Sequence, residues 1–235
     1  MDNRAIARRF YDAVSAGRLE IIDEVVGENY VEHEEFPGIA IDAYCEEGAW
    51  PLDQCMRLFL KAEGLHHPVR VHADQFNSLG MTPAAIEMHA LSVDHLEATK
   101  PPELTELAES ETFGVMLPCS GFQVDDRYAD GRTFLDEGGR LVIATNCNPG
   151  SAPTSSMAFA IALATRKLGL TAKEAIRACT RTAADLLGLD DRGSIAMGKR
   201  ADLVLLRHTD ERMLGYEFGG NPVELVVCGG EIFGA

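Results

Sequence analysis

The sequence has no C-x-x-C pair, no apolar stretch behind its first residues and few positive charges, and each lack removes a class of protein. Its six cysteines (Cys45, Cys55, Cys119, Cys147, Cys179, Cys228) are scattered over 235 residues. No disulfide framework can be read from them, and they fit the reduced thiols of a cytoplasmic protein. Met1 is followed at once by Asp2, Arg4, Arg8 and Arg9, which predicts neither a leader nor a membrane span. Lys and Arg number 21 against 37 Asp and Glu, a formal charge of −16. That balance argues against a nucleic-acid or anionic-membrane surface and is ordinary for solubility. Internal repeats and low-complexity linkers are also missing.

What is present is an α/β pattern. Hydrophobic residues make up 46% and charged residues 25%, enough for a sizeable buried core. Val69-Arg70-Val71-His72-Ala73-Asp74-Gln75 alternates and ends in polar groups, as a strand does when it delivers chemistry at its C-terminal end. Leu91 to Glu97 repeats the format with Asp94 and His95, and Leu141 to Asn146 leads into Cys147-Asn148-Pro149-Gly150. Further strands are expected at about Ile39 to Cys45 and Phe113 to Cys119. Strand starts near 39, 69, 91, 113 and 141 are spaced by 30, 22, 22 and 28 residues, which fits consecutive βα units.

Helices are expected between them. Leu52 to Glu63 carries Leu52, Met56 and Phe59 or Leu60 on one face and is closed by Gly64. Others are expected near Pro83 to His89, Pro102 to Ala108 and Thr133 to Glu137. Ser155 or Ser156 can cap a helix from Met157 that stops at Gly169, and Thr171-Ala172-Lys173-Glu174 is a capping box opening one that runs to about Leu187. Behind Gly193 an apolar strand from about Leu203 is expected, then a hairpin from Val223 through Gly229-Gly230-Glu231. The first 38 residues read as two short helices, about 4 to 16 and 19 to 26, and an acidic segment around His33. With Glu32, Glu34 and Glu35 beside it, His33 reads first as part of a solvated charge run. This opening, with "RRFY" and "H…FPG", resembles SnoaL-like folds. The expected organisation is a helical segment at 1–38, a partial barrel at 39–190 and a C-terminal β segment at 191–235.

From about residue 40 the chain resembles the later two thirds of the imidazolonepropionase family of the amidohydrolase superfamily. The segments that carry the likeness are "IDAYCEEGAW", "VRVHADQFNSLG", "LSVDHLEAT", "NCNPGSAPTSSM" and "GSIAMGKRADLVLL". The resemblance implies a partial (β/α)8 amidohydrolase-type barrel of about five βα units. It also implies metal-dependent hydrolysis of a cyclic amide C–N bond, converting 4-imidazolone-5-propanoate to N-formimidoyl-L-glutamate in histidine degradation. His72 matches a ligand of zinc or iron, Gln75 a substrate contact near the reacting carbon, and His95 the histidine that orients water and the substrate carbonyl. Asn148, Gly150 and Ser151 match a substrate-contacting loop. Read without the family, His72 fits a hydrogen-bonded structural histidine, His95 a strand tie through Asp94 or Glu97, and Asn-Pro-Gly an ordinary turn.

Two departures from the family stand out. Asn146 occupies a position where the family has a metal-binding aspartate, and a neutral amide cannot accept the proton of an attacking water. The family's H-x-H pair occurs nowhere in the chain, and His66 and His67 precede their strand and so belong at its opposite end. Three readings therefore stay open: a small-molecule hydrolase completed by further protein, a non-catalytic or truncated, fused descendant acting as a binding or assembly module, and a ligand-binding unit of the opening helices. Open barrel edges predict a homo-oligomer.

Overall fold

The structure is a computed structural model and describes residues 40–234. The two opening helices, the His33 segment and the SnoaL-like expectation lie outside the described residues.

Five strands form one sheet in the order in which the chain makes them: β1 (Ile41–Cys45), β2 (Val69–Ala73), β3 (Ser92–His95), β4 (Phe113–Met116) and β5 (Leu141–Ile143). Every pairing is parallel. Parallel neighbours require a crossover, and the helices between the strands supply it. β3, β4 and β5 are buried at every position, β4 and β5 as continuous apolar runs. β1 and β2 instead alternate. Val69, Val71 and Ala73 pack into the helix-side core, while Arg70 and His72 share the opposite face with Asp42.

The helix α1 (Leu52–Gly64) buries Cys55, Leu58, Phe59 and Ala62. Of the expected stripe, Phe59 is buried and Leu52 and Met56 pack against the core, while the alternative Leu60 is 56% exposed, and the small side chains of Cys55 and Ala62 let the helix lie close. α2 (Met81–Glu87) begins two residues early and stops before His89, which has φ +51. α3 (Pro101–Glu109) starts on proline, whose missing N–H costs nothing in the first turn. The same rule explains a correction. The strand expected to reach Cys119 ends at Met116, and Pro118 opens a helix, α4 (Pro118–Val124), that the sequence pattern did not predict.

α5 (Gly131–Asp136) is capped by Asp130, which accepts from Thr133 N at 3.0 Å. α6 (Met157–Lys167) is capped by Ser156, which accepts from Phe159 N at 3.2 Å. The Thr171–Glu174 capping box opens α7 (Ala172–Cys179). The long helix expected to continue to Leu187 is broken at Thr180 (φ −126°, ψ −81°), and α8 (Arg181–Leu186) follows. The Thr180 hydroxyl donates to Ile176 O at 2.7 Å, a side-chain bond that competes with helix continuation.

The tail forms a second, antiparallel sheet of β6 (Leu203–Leu206), β7 (Val223–Cys228) and β8 (Glu231–Gly234). Gly229 (φ +59) and Gly230 (φ +89) turn the β7–β8 hairpin, as a two-residue loop with both residues left-handed requires. A short helix, α9 (Met213–Tyr216), lies on α6, and Arg166 donates to Gly215 O at 2.9 Å. Among the described residues no helix is long and apolar enough to cross a membrane.

Beneath the sheet, Phe134 is fully buried against two glycines. A Cβ on Gly114 would lie 2.8 Å from the Phe134 ring and 3.1 Å from Leu96 Cδ1. Gly114→Ala should therefore destabilise the fold by about 1–3 kcal/mol through overpacking. Urea unfolding measures this, and an unchanged midpoint would show that the ring has room to move.

Candidate active site

All seven side chains or backbone positions singled out from the sequence, His72, Gln75, His95, Asn146, Asn148, Gly150 and Ser151, line one cleft of about 700 Å³. It opens at the C-terminal ends of the parallel strands, where such folds hold their ligands. Register brings the groups level: Tyr44 pairs with His72, and Ala73 with His95.

His72 projects from β2 with its Nδ1 3.1 Å from Asp42 Oδ1 and its Nε2 3.8 Å from Asp94 Oδ2. Burial alone would lower its pKa. The hydrogen bond to Asp42 and the charges of Asp42 and Asp94 together outweigh that and raise it above the ordinary histidine value. Arg70 lies between the same two carboxylates, in close contact with Asp94 and 3.4 Å from Asp42.

Gln75 is held at both ends of its amide. Tyr44 donates its hydroxyl to Oε1 at 2.8 Å, and Nε2 donates to Ser120 Oγ at 3.0 Å. Burial, with the nearby charges of Glu46 and Glu97, pushes the Tyr44 hydroxyl up to about 12, so it remains a donor at neutral pH. The loop behind Gln75 is fixed by Glu46, a buried carboxylate that accepts from Phe76 N at 2.8 Å, Asn77 N at 3.3 Å and Asn77 Nδ2 at 2.9 Å. Tyr44, Glu46 and Ser120 were missed from the sequence. Tyr44 sits on the same strand face as Asp42, a signal that the alternation of β1 already carries. Glu46 and Ser120 lie beyond strand ends and give no such periodic signal.

His95 ends β3 with its side chain only 3% exposed, and its Nδ1 lies 3.3 Å from Glu97 Oε1. Of the two ties considered from the sequence, Glu97 is the one made. Asp94 is occupied by Arg70 and by Ser92, whose hydroxyl donates at 2.6 Å. The rings of His95 and His72 are 5.6 Å apart.

Beyond β5 the polar atoms of Asn148 are taken within its own loop. Oδ1 accepts from Gly150 N and Ser151 N, each at 2.8 Å, while Nδ2 donates to Asn146 O at 2.6 Å and Ser151 Oγ at 3.0 Å. Asn148 thus builds the turn, and Gly150 and Ser151 are presented by it. Asn146 is left-handed (φ +56), and its Nδ2 lies 3.3 Å from Ser151 Oγ. Zinc or iron fits this arrangement poorly. Among the described residues no three His, Cys, Asp or Glu side chains gather to hold a metal ion, whereas a hydrolytic centre normally takes three protein ligands. His66 lies in the turn that precedes β2, at the end of the sheet away from the cleft.

The sequence profile of the Amidohydrolase family matches residues 53–233. An imidazolonepropionase of Herpetosiphon aurantiacus is 44% identical over 196 residues, covering 83% of this chain and 46% of the relative. One from Deinococcus radiodurans is 41% identical over 211 residues, covering 90% and 51%. The chain thus spans about half the length of the curated relatives it matches. A crystal structure of an adenosine deaminase from Xanthomonas campestris with bound zinc superposes with a TM-score of 0.66 at 19% identity, over 94% of this chain and 55% of that one. That likeness concerns the fold, a (β/α) barrel of which the five-stranded sheet is a part.

Directly behind His72, Asp74 is 1% exposed and left-handed (φ +58), and its Oδ1 has no hydrogen-bond partner among the described residues. Burial raises its pKa. Hydrogen bonds from Thr82 and Thr99, at 2.8 and 2.9 Å, oppose the rise only in part. The folded state therefore holds this proton more tightly than the unfolded chain. Its contribution is fully present below the ordinary carboxylate pKa and is lost as pH rises through the elevated folded value. Asp74→Asn, which keeps an acceptor for both threonines, should remove that loss and be at least as stable as wild type at neutral pH. Thermal melts across the acidic range check it, and parallel pH profiles for the two proteins would refute it.

Proposed function

The chain belongs to the Amidohydrolase family, and on that footing we propose that it carries the substrate-gripping and proton-handling half of an imidazolonepropionase-type site. The reaction is hydrolysis of a cyclic amide C–N bond, opening 4-imidazolone-5-propanoate to N-formimidoyl-L-glutamate in cytoplasmic histidine degradation. The observation that carries this reading is the meeting of His72, Gln75, His95, Asn146 and the Asn148–Ser151 loop in one cleft.

Each residue has a part suited to its chemistry. His95 takes the proton of the attacking water and passes it to the leaving nitrogen, work that an imidazole does near neutral pH. Gln75, its amide fixed by Tyr44 and Ser120, contacts the substrate near the reacting carbon as a neutral group. Gly150 and Ser151 contact it from the loop that Asn148 shapes. For zinc or iron the donors in this cleft are the His72 imidazole and, more weakly, the Asn146 carbonyl oxygen. A working centre would take its remaining ligands from protein outside residues 40–234. The working unit in this reading is 39–190, with 191–235 as an accessory β segment.

β1 and β5 are free sheet edges among the described residues. Val204 and Leu205 on β6 and Ile232 and Phe233 on β8 are each more than half exposed. Open edges and apolar sheet faces associate. Size-exclusion chromatography with light scattering should show a homo-oligomer, and a clean monomer at every concentration would count against it.

The decisive assay follows loss of the imidazolone chromophore with purified full-length chain and zinc or iron titrated in separate arms. His95→Ala should lower the rate by about 10²–10⁴-fold, the usual worth of a positioned acid–base group. A flat trace at every metal loading overturns catalysis by this chain and leaves the non-catalytic module as the surviving reading.

A further inference from the structure

The strand β3 breaks its own alternation at the site. Val93 belongs to the helix-side core and Asp94 to the face shared with Arg70 and His72. Continued alternation would send His95 to the core, level with its partner Ala73, and Leu96 to the cleft. The reverse is seen: His95 lines the cleft and Leu96 is a core residue, 2% exposed. The exchange is made by two successive left-handed residues, His95 (φ +93) and Leu96 (φ +73). Such a conformation is costly for a non-glycine residue and persists only where the surroundings hold it. Here Leu96 N donates to Ala73 O at 3.3 Å and Ala98 N to Asp74 O at 2.7 Å.

The same turn brings Glu97 beside His95. Both side chains are almost fully buried, at 5% and 3% exposure, with Glu97 Oε1 3.3 Å from His95 Nδ1. Glu97 does not line the cleft, and its second oxygen, Oε2, is buried with no hydrogen-bond partner among the described residues. A half-satisfied buried carboxylate is a poor stability device. Among the described residues its side chain is paired with the ring of a cleft residue.

We propose that Glu97 is the positioning residue of His95, accepting from Nδ1–H so that Nε2 faces the cleft as the ring's proton acceptor. This rests on the hydrolase reading for its catalytic consequence but not for its geometry. A neutral imidazole has one donor and one acceptor nitrogen. A carboxylate can only accept, so its contact with Nδ1 decides which nitrogen is which. The need for a defined acceptor is sharpened by the rest of the cleft. Gln75 and Asn146 are amides and cannot take a proton. His72 has a carboxylate towards each ring nitrogen, Asp42 at Nδ1 and Asp94 3.8 Å from Nε2, whereas His95 has one, Glu97 at Nδ1, which leaves its Nε2 to work at the cleft.

The test uses the full chain labelled with ¹⁵N-histidine, the His95 signals being assigned by their loss in His95→Gln. Wild type is expected to show the Nδ1–H tautomer, with Nε2 unprotonated at neutral pH. Glu97→Gln, whose amide can donate to Nδ1, should shift the ring towards Nε2–H, and Glu97→Asp should keep the wild-type tautomer. In turnover, Glu97→Gln should lose about 10²-fold or more in kcat with KM changed by no more than about twofold, with partial recovery in Glu97→Asp. An unchanged tautomer in Glu97→Gln overturns the proposal, as does a loss that appears in KM alone. If wild type has no turnover, the tautomer shift still decides the role of Glu97, and the ring-opening reading is what falls.

Discussion

The site depends first on strand register. Parallel pairing sets Asp42, Tyr44, Arg70, His72 and Asp94 on one face at matched heights, and a slip of one residue would turn all of them towards the helices. The register is tied at two levels. At the strand entries, Ile41 N reaches Pro68 O and Leu91 N reaches Val69 O, each at 2.8 Å. On the inner face Arg70 spans Asp42 on β1 and Asp94 on β3. A cation between two carboxylates on neighbouring strands neutralises charge that would otherwise be buried unpaired, and it penalises any other alignment.

That constraint also marks how far the sequence could be read. Period-two alternation made β1 and β2 legible, and spacing between strand starts made the parallel order legible, because both follow from the polymer itself. On α1 the spacing left Phe59 and Leu60 as alternatives and packing chose Phe59, while Cys55 and Ala62 went unread because small side chains carry little apolar signal although they permit the closer approach. The break at Thr180 and the helix at Pro118 were missed for a shared reason. Each is decided by one backbone group, a hydroxyl that back-bonds or a proline that cannot donate, and a pattern averaged over a window does not resolve single groups. The identity of the cleft residues was legible through the family likeness, and their geometry was not. Nothing in the order of residues says that Asn148 spends its amide inside its own turn, or that Gln75 is clamped by Tyr44 and Ser120.

The left-handed residues form a second pattern in the site. Asp74, His95, Leu96 and Asn146 all have positive φ, and all lie just at or beyond the ends of β2, β3 and β5. Asparagine, aspartate and histidine tolerate positive φ better than most residues, whereas leucine adopts it at greater expense. Strain is therefore concentrated where side chains must leave the alternation of a sheet and converge on one point. The core beneath, with Phe134 seated between Gly114 and Gly139, is the rigid body against which such strain can be held.

Charge distribution in the cleft follows from the same residues. Beyond the ends of β2 and β5 the cleft is lined by the amides of Gln75 and Asn146. Among the described residues Asp42 lines the cleft beside His72, while Asp94, Glu97 and Glu46 stand behind its surface, on His72, on His95 and under the loop of Gln75. Each is already committed to a donor. A cleft of this kind presents amides, imidazole and one paired carboxylate to its ligand, with the other negative charges held one layer back. Acid–base work must then pass through a histidine whose tautomer and orientation are set from behind. The register that levels the strand ends and the left-handed turn at His95 together make that arrangement possible, because one brings the imidazole to the cleft rim and the other places a carboxylate behind it.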